Sequence, residues 1–73
     1  MTGETKNFNQ QKYYGYIRGE DGKDYFFHRD DFQGSYDELV FDHYSNPDSI
    51  KVEFIPDKTD KGLRARNVTR TEN

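Results

Sequence analysis

Two short stretches, Tyr14–Arg18 and Asp24–His28, form a pair of strands apolar on both faces and rich in rings, and Gly19-Glu20-Asp21-Gly22-Lys23 between them reads as a turn. Alternate residues of an extended chain share a face. Tyr14, Tyr16 and Arg18 therefore lie on one side with Gly15 and Ile17 opposite, and Phe26 and His28 lie on one side with Tyr25 and Phe27 opposite. An antiparallel sheet with a solvated side normally shows polar residues there. Here both sides are apolar, so either protein covers both or one ring-bearing face is left open for something else to bind. The supply of apolar residues decides. Leu, Ile and Val number eight among 73 residues, too few for a core plus a second covering layer in a chain this short, which buries only ~60% of its unfolded surface. Gly15 and Ile17 suit a tight interior better than tyrosines do. Tyr14, Tyr16, Phe26 and His28 are then expected to point outward together.

The same strand pattern continues on either side of this hairpin. A first strand is expected near Glu4–Asn9, a fourth from about Ile50 to Ile55, a turn over Pro56–Gly62, and a fifth over Leu63–Arg70. Asp30–Pro47 has mixed charge and scattered apolar residues, with Asn46-Pro47-Asp48 at its end, and reads as a long loop with a short helical turn. The expected fold is all-β: a five-stranded antiparallel barrel over about residues 3–70, in a single domain spanning 1–73, with a long loop between strands three and four. Closure removes the exposed edges that such short strands would otherwise present. Leu, Ile, Val and Phe together are only 14 of 73 residues, just under the ~20% at which chains begin to look disordered. Six Tyr, six Phe, two Pro and a net charge of only -3 argue against disorder and for a folded, marginally stable domain.

Cysteine is absent, which leaves no disulfide or thiolate metal site and gives no reason to look beyond the cytoplasm. No apolar run approaches the ~20 residues that span a bilayer, so no membrane association is expected. His28 and His43 show no ligand spacing, and neither a metal nor another cofactor is expected. No nucleophile, base or acid constellation suggests an enzyme. The acidic balance argues at first against nucleic acid, but charge is unevenly distributed: residues 1–29 carry a net +1, 30–60 a net -7 and 61–73 a net +3. If the two ends of the chain share a face, that face is neutral or basic while the middle is turned elsewhere.

An outward patch of two phenols, a benzyl ring and an imidazole offers π-surfaces to consecutive unpaired bases, each stack worth ~1–3 kcal/mol. Lys6 and Lys12 flank the patch where they could meet phosphates. The chain also resembles the cold-shock domain family. The family's two nucleic-acid-binding motifs, approximately K-G-F-G-F-I and V-F-V-H-F, stand here as Lys12-Tyr13-Tyr14-Gly15-Tyr16-Ile17 and Tyr25-Phe26-Phe27-His28-Arg29. Its opening K-W-F-N stands as Lys6-Asn7-Phe8-Asn9, and its closing G-x-x-A-x-N-V as Gly62-Leu63-Arg64-Ala65-Arg66-Asn67-Val68. The resemblance implies an OB-fold barrel that binds single-stranded RNA or DNA as a chaperone or regulator. It places Lys6, Phe8, Lys12, Tyr14, Tyr16, Phe26, His28, Arg29 and Lys61 in the nucleic-acid site, with Tyr36 as a further loop aromatic. Asn7 replaces the family's stacking Trp, Arg29 the last Phe of the second motif, and Tyr13 the first Gly of the first, so base stacking weaker than in a typical member is expected. The expected partner is a single strand bound by a monomer. The alternative is a protein-interaction module in which the acidic 30–48 insert, with Phe41 and Tyr44, engages a protein partner.

Overall fold

The computed structural model describes residues 1–45 and 50–71; the Asn46-Pro47-Asp48 signal lies outside them. Strands β1 (Thr2–Asn9), β2 (Tyr14–Gly19) and β3 (Asp24–His28) come first, followed by a 3-10 turn (Arg29–Asp31) and helix α1 (Tyr36–Ser45). Strands β4 (Lys51–Thr59) and β5 (Gly62–Arg70) complete the chain. The strands lie in the order β1-β2-β3-β5-β4, and because β4 also pairs with β1 the sheet closes on itself as a barrel.

The expectation of a wholly antiparallel sheet is corrected. β3 and β5 are parallel, with Phe26 beside Arg64, whereas every other strand pair is antiparallel. The reason is arithmetic: strand directions can alternate around a closed ring only when the number of strands is even. Five strands must leave one like-directed pair, and here it is the pair whose connection runs through α1 and β4.

A second correction concerns the segment read as a long loop, which holds a ten-residue helix. Ser35 starts it, accepting the Glu38 N–H on its hydroxyl (3.3 Å) and the Leu39 N–H on its carbonyl (3.1 Å). Tyr36, Leu39 and Val40, spaced as one helical face, are buried. Nor does Pro56 begin a turn. It lies within β4 opposite Ala65, in a stretch beyond Glu53 where β4 pairs only with β5, so one side of the strand needs no proline N–H.

The core gathers Ile17, Tyr25, Phe27, Phe32, Val52, Phe54, Ala65 and Val68 inside the sheet, with Tyr36, Leu39 and Val40 of α1 laid onto it. Tyr25 buries its ring in this core and keeps its hydroxyl at the edge, donating to Asp21 Oδ2 of the exposed turn at 2.7 Å. That bond holds the Asp21 carboxyl below its ordinary range and pushes the Tyr25 phenol up.

One irregularity in β1 decides which of its side chains face the core. Thr5 pairs with Ile17 and Asn7 with Tyr16, so two steps on β1 match one on β2 and Lys6 is an extra residue, a β-bulge. Thr5 points inward before the bulge. Strict alternation would bring Asn7 and Asn9 inward after it. The bulge shifts the phase, so Phe8 turns in and Asn7 and Asn9 turn out.

Candidate nucleic-acid interface

The hairpin divides its residues as the alternation requires. Gly15, Ile17, Tyr25 and Phe27 are buried, while Tyr14, Phe26 and His28 are partly exposed and Tyr16 is 37% exposed. Tyr14 pairs across the strands with His28, and Tyr16 with Phe26. The Tyr14 and Phe26 rings lie 5.2 Å apart and tilted by 38°, while Tyr16 meets Tyr14 at 6.0 Å and Phe26 at 5.9 Å nearly edge-on. These contacts leave ring faces open to solvent in a fixed mutual arrangement. Asn9 donates to the Tyr14 hydroxyl (3.3 Å), and Asn7 stands opposite Tyr16, so polar amides continue the outer face onto β1.

Phe8 does not join this cluster. Its half-buried ring packs edge-on against Phe27, Tyr36, His43 and Tyr44 and covers Gly15 from inside. A Cβ at Gly15 would come within 2.7 Å of the Phe8 ring and 2.9 Å of the Asn7 carbonyl, so only glycine lets β1 and Phe8 approach this closely. The resemblance places Phe8 in the nucleic-acid site, whereas the bulge at Lys6 turns its side chain toward the core. Tyr36 is a second correction. It is not a loop aromatic but is 6% exposed, and its hydroxyl donates to the Tyr14 carbonyl at 2.9 Å. Burial pushes its pKa up to about 12. Tyr36 thus clamps α1 to the start of β2 and supports the patch from behind.

The cations sort by their partners. Lys6 is committed to Asp24 at 2.7 Å, with Arg18 on the other carboxylate oxygen at 3.1 Å. These two hydrogen bonds hold the exposed Asp24 carboxyl below its ordinary range. Lys12 sits exposed in the β1–β2 turn, which Asn9 shapes by accepting the Gln11 and Lys12 N–H groups at 3.0 Å each. Arg29 lays its guanidinium over the Tyr13 ring, 4.3 Å from the centroid. Tyr13 holds a left-handed backbone (φ 60), which explains why glycine suits that position in the motif it resembles. Lys61, Gly62, Leu63 and Arg64 line a 370 Å³ groove whose other wall is Tyr16, Asp24 and Phe26. Among the described residues Lys12, Arg29 and Lys61 make no ion pair with a carboxylate. The basic end of the chain therefore meets the patch at its β3 edge, while Asp37, Glu38 and Asp42 sit on α1.

Arg64 was not among the sequence candidates. Its guanidinium lies 5.9 Å from the Phe26 ring and is held by Asp31, which accepts from Nε at 3.0 Å and from Nη2 at 2.9 Å. Asp31 is 9% exposed and also accepts the His28 N–H, so this residue is a post for the site and not part of a solvated acidic run. His28 Nδ1 accepts the Asp30 N–H (3.3 Å), fixing the imidazole at the edge of the patch. No local signal could have found Arg64, because its neighbour Phe26 is supplied by the parallel pairing of strands far apart in sequence.

Among the described residues no cluster of His, Cys, Asp or Glu could hold a metal ion, and no helix is long and apolar enough to cross a membrane. The profile of the 'Cold-shock' DNA-binding domain family matches residues 1–71. No curated protein matches the chain.

Proposed function

The chain belongs to the 'cold-shock' DNA-binding domain family, and we propose that it binds single-stranded RNA or DNA by laying unpaired bases on Tyr14, Tyr16, Phe26 and His28. The observation that carries this reading is the half-exposed ring cluster on the outer face of β2 and β3, which the core does not use. Duplex bases are already stacked on one another, so the ring faces select single strands. Arg64 and Lys61 stand where the backbone of a strand crossing from β2 to β5 would pass. Lys12 and Arg29 flank the other side. No chemistry is done on the bound strand; by holding bases unpaired the protein disfavours weak secondary structure, which is the chaperone reading.

Because about three cations without an ion pair among the described residues flank the rings, the affinity should fall gently with salt, with a log–log slope of about -2 from the ~0.7 counterions released per single-strand phosphate contact. Amide chemical-shift mapping with a short oligouridylate at low salt, and with a duplex of the same length, tests the proposal. The expected result is shifts at Asn7, Tyr14, Tyr16, Phe26, His28, Lys61 and Arg64 with the single strand and none with the duplex. Shifts confined to α1, or equal response to the duplex, would remove it.

A further inference from the structure

Helix α1 uses Tyr36, Leu39 and Val40 for the core and turns a different set of side chains to water. Phe41 is 69% exposed and Tyr44 58%, and across from them stands Tyr13 at 42%. Val40, Phe41, Tyr44 and Asp37 of the helix, with Gln10 and Tyr13 of the β1–β2 turn, enclose an open groove of 530 Å³. Packing gives no reason for so much ring surface in water on a domain this poor in core residues, and gathered exposed apolar surface marks an interaction site. The walls are preformed. The Tyr44 hydroxyl accepts the Phe8 N–H at 3.3 Å, and the Tyr13 ring is pinned between the Arg29 guanidinium (4.3 Å) and the Tyr36 ring (6.3 Å).

Charge chooses the occupant. The helix carries Asp37, Glu38 and Asp42 and no Lys or Arg; Asp42 is paired with Arg70, whereas Asp37 and Glu38 make no ion pair among the described residues. Asp37 is the carboxylate that lines the groove, and phosphates brought there would face it. A lysine or arginine chain would find the Asp37 carboxylate in the groove wall and, because Arg29 already covers a face of Tyr13, the open rings of Phe41 and Tyr44 beside it. We propose that this groove docks a segment of a partner protein in which basic and apolar side chains alternate. It lies between α1 and the β1–β2 turn, shares no lining residue with the ring cluster of Tyr14, Tyr16, Phe26 and His28, and does not rest on the nucleic-acid reading.

The test uses the whole chain and three probes: a short dye-labelled peptide alternating arginine and leucine, its glutamate–leucine counterpart, and oligouridylate. The arginine peptide is expected to shift amides of α1 and residues 10–13, and to bind about tenfold more weakly to Phe41→Ala and to Asp37→Asn, in line with loss of an interface anchor. Both side chains are exposed and outside the core, so folded variants are expected; their amide spectra check this, and oligouridylate affinity is expected to stay unchanged in both. The glutamate peptide should not bind. Four results overturn the proposal: equal binding of the two peptides, arginine-peptide shifts lying only on β2 and β3, oligouridylate shifting α1 in preference to the patch, or sedimentation showing a self-associated species that Phe41→Ala dissolves.

Discussion

Replacing Tyr16 by alanine removes one ring of the proposed stacking surface at small cost to the fold. Tyr16 is 37% exposed, and its ring contacts are Tyr14 at 6.0 Å and Phe26 at 5.9 Å, neither of them a fully buried residue. Edge-to-face pairs contribute ~0.5–1.5 kcal/mol each, and exposure places these at the low end, so folded-state stability should fall by about 1 kcal/mol. Binding should suffer more. A stacked base contributes ~1–3 kcal/mol, which at 1.4 kcal/mol per tenfold is a Kd raised about 5- to 150-fold. Anisotropy of a dye-labelled oligouridylate measures it, with a thermal melt of the same sample to show that the variant is folded. Phe26→Ala on top of Tyr16→Ala should cost less than the two separately, because the rings touch and hold one another. A folded Tyr16→Ala variant that binds within twofold of the parent would refute the claim that these rings carry the affinity.

Asn7 faces outward opposite Tyr16, so Asn7→Trp should add a ring to the platform and tighten oligouridylate binding by up to the ~1–3 kcal/mol of one stack, read from the quenching of the new indole. Tyr13 sits at φ 60, where any Cβ is strained by ~1–2 kcal/mol, so Tyr13→Gly should be more stable than Tyr13→Ala by about 1 kcal/mol in urea melts, the reverse of their usual order. His43 bonds Thr5 Oγ1 through Nδ1 at 2.7 Å, and burial lowers its pKa from 6.5 while a hydrogen bond to the Lys6 backbone partly opposes that shift. The folded state therefore favours the neutral ring: stability is fully present above the unfolded pKa of 6.5 and is lost as pH falls through the lower folded value. Thermal melts between about pH 7.5 and 5 should show this loss, and His43→Gln should flatten it, whereas the lowered Asp21 and Asp24 carboxyls lose their contribution only in more acidic solution.

Several features were legible because they depend on neighbours in the chain. Alternation in Tyr14–Arg18 and Asp24–His28 settles which side chains share a face, the scarcity of aliphatic residues settles that one face stays open, and Gly15 and Ile17 settle which one. The bounds of β3 follow from its flanking turn and the polar residues beyond it. The helix was also within reach: Ser35 stands three residues before Glu38, and Tyr36, Leu39 and Val40 repeat at helical spacing, but the acidic residues between them hid the pattern.

What the chain's own order of residues determined, then, is the ring-bearing outer face of one hairpin and the uneven placement of charge, since period-two alternation needs no distant partner. Tertiary structure alone decided the rest. An odd number of strands closing on itself forces one parallel pair, and the path of the chain through α1 and β4 makes it β3–β5, which sets Arg64 beside Phe26. One extra residue at Lys6 turns Phe8 inward and leaves Asn7 facing out. Both arise from register between strands, a property of how segments meet in space and not of either segment by itself.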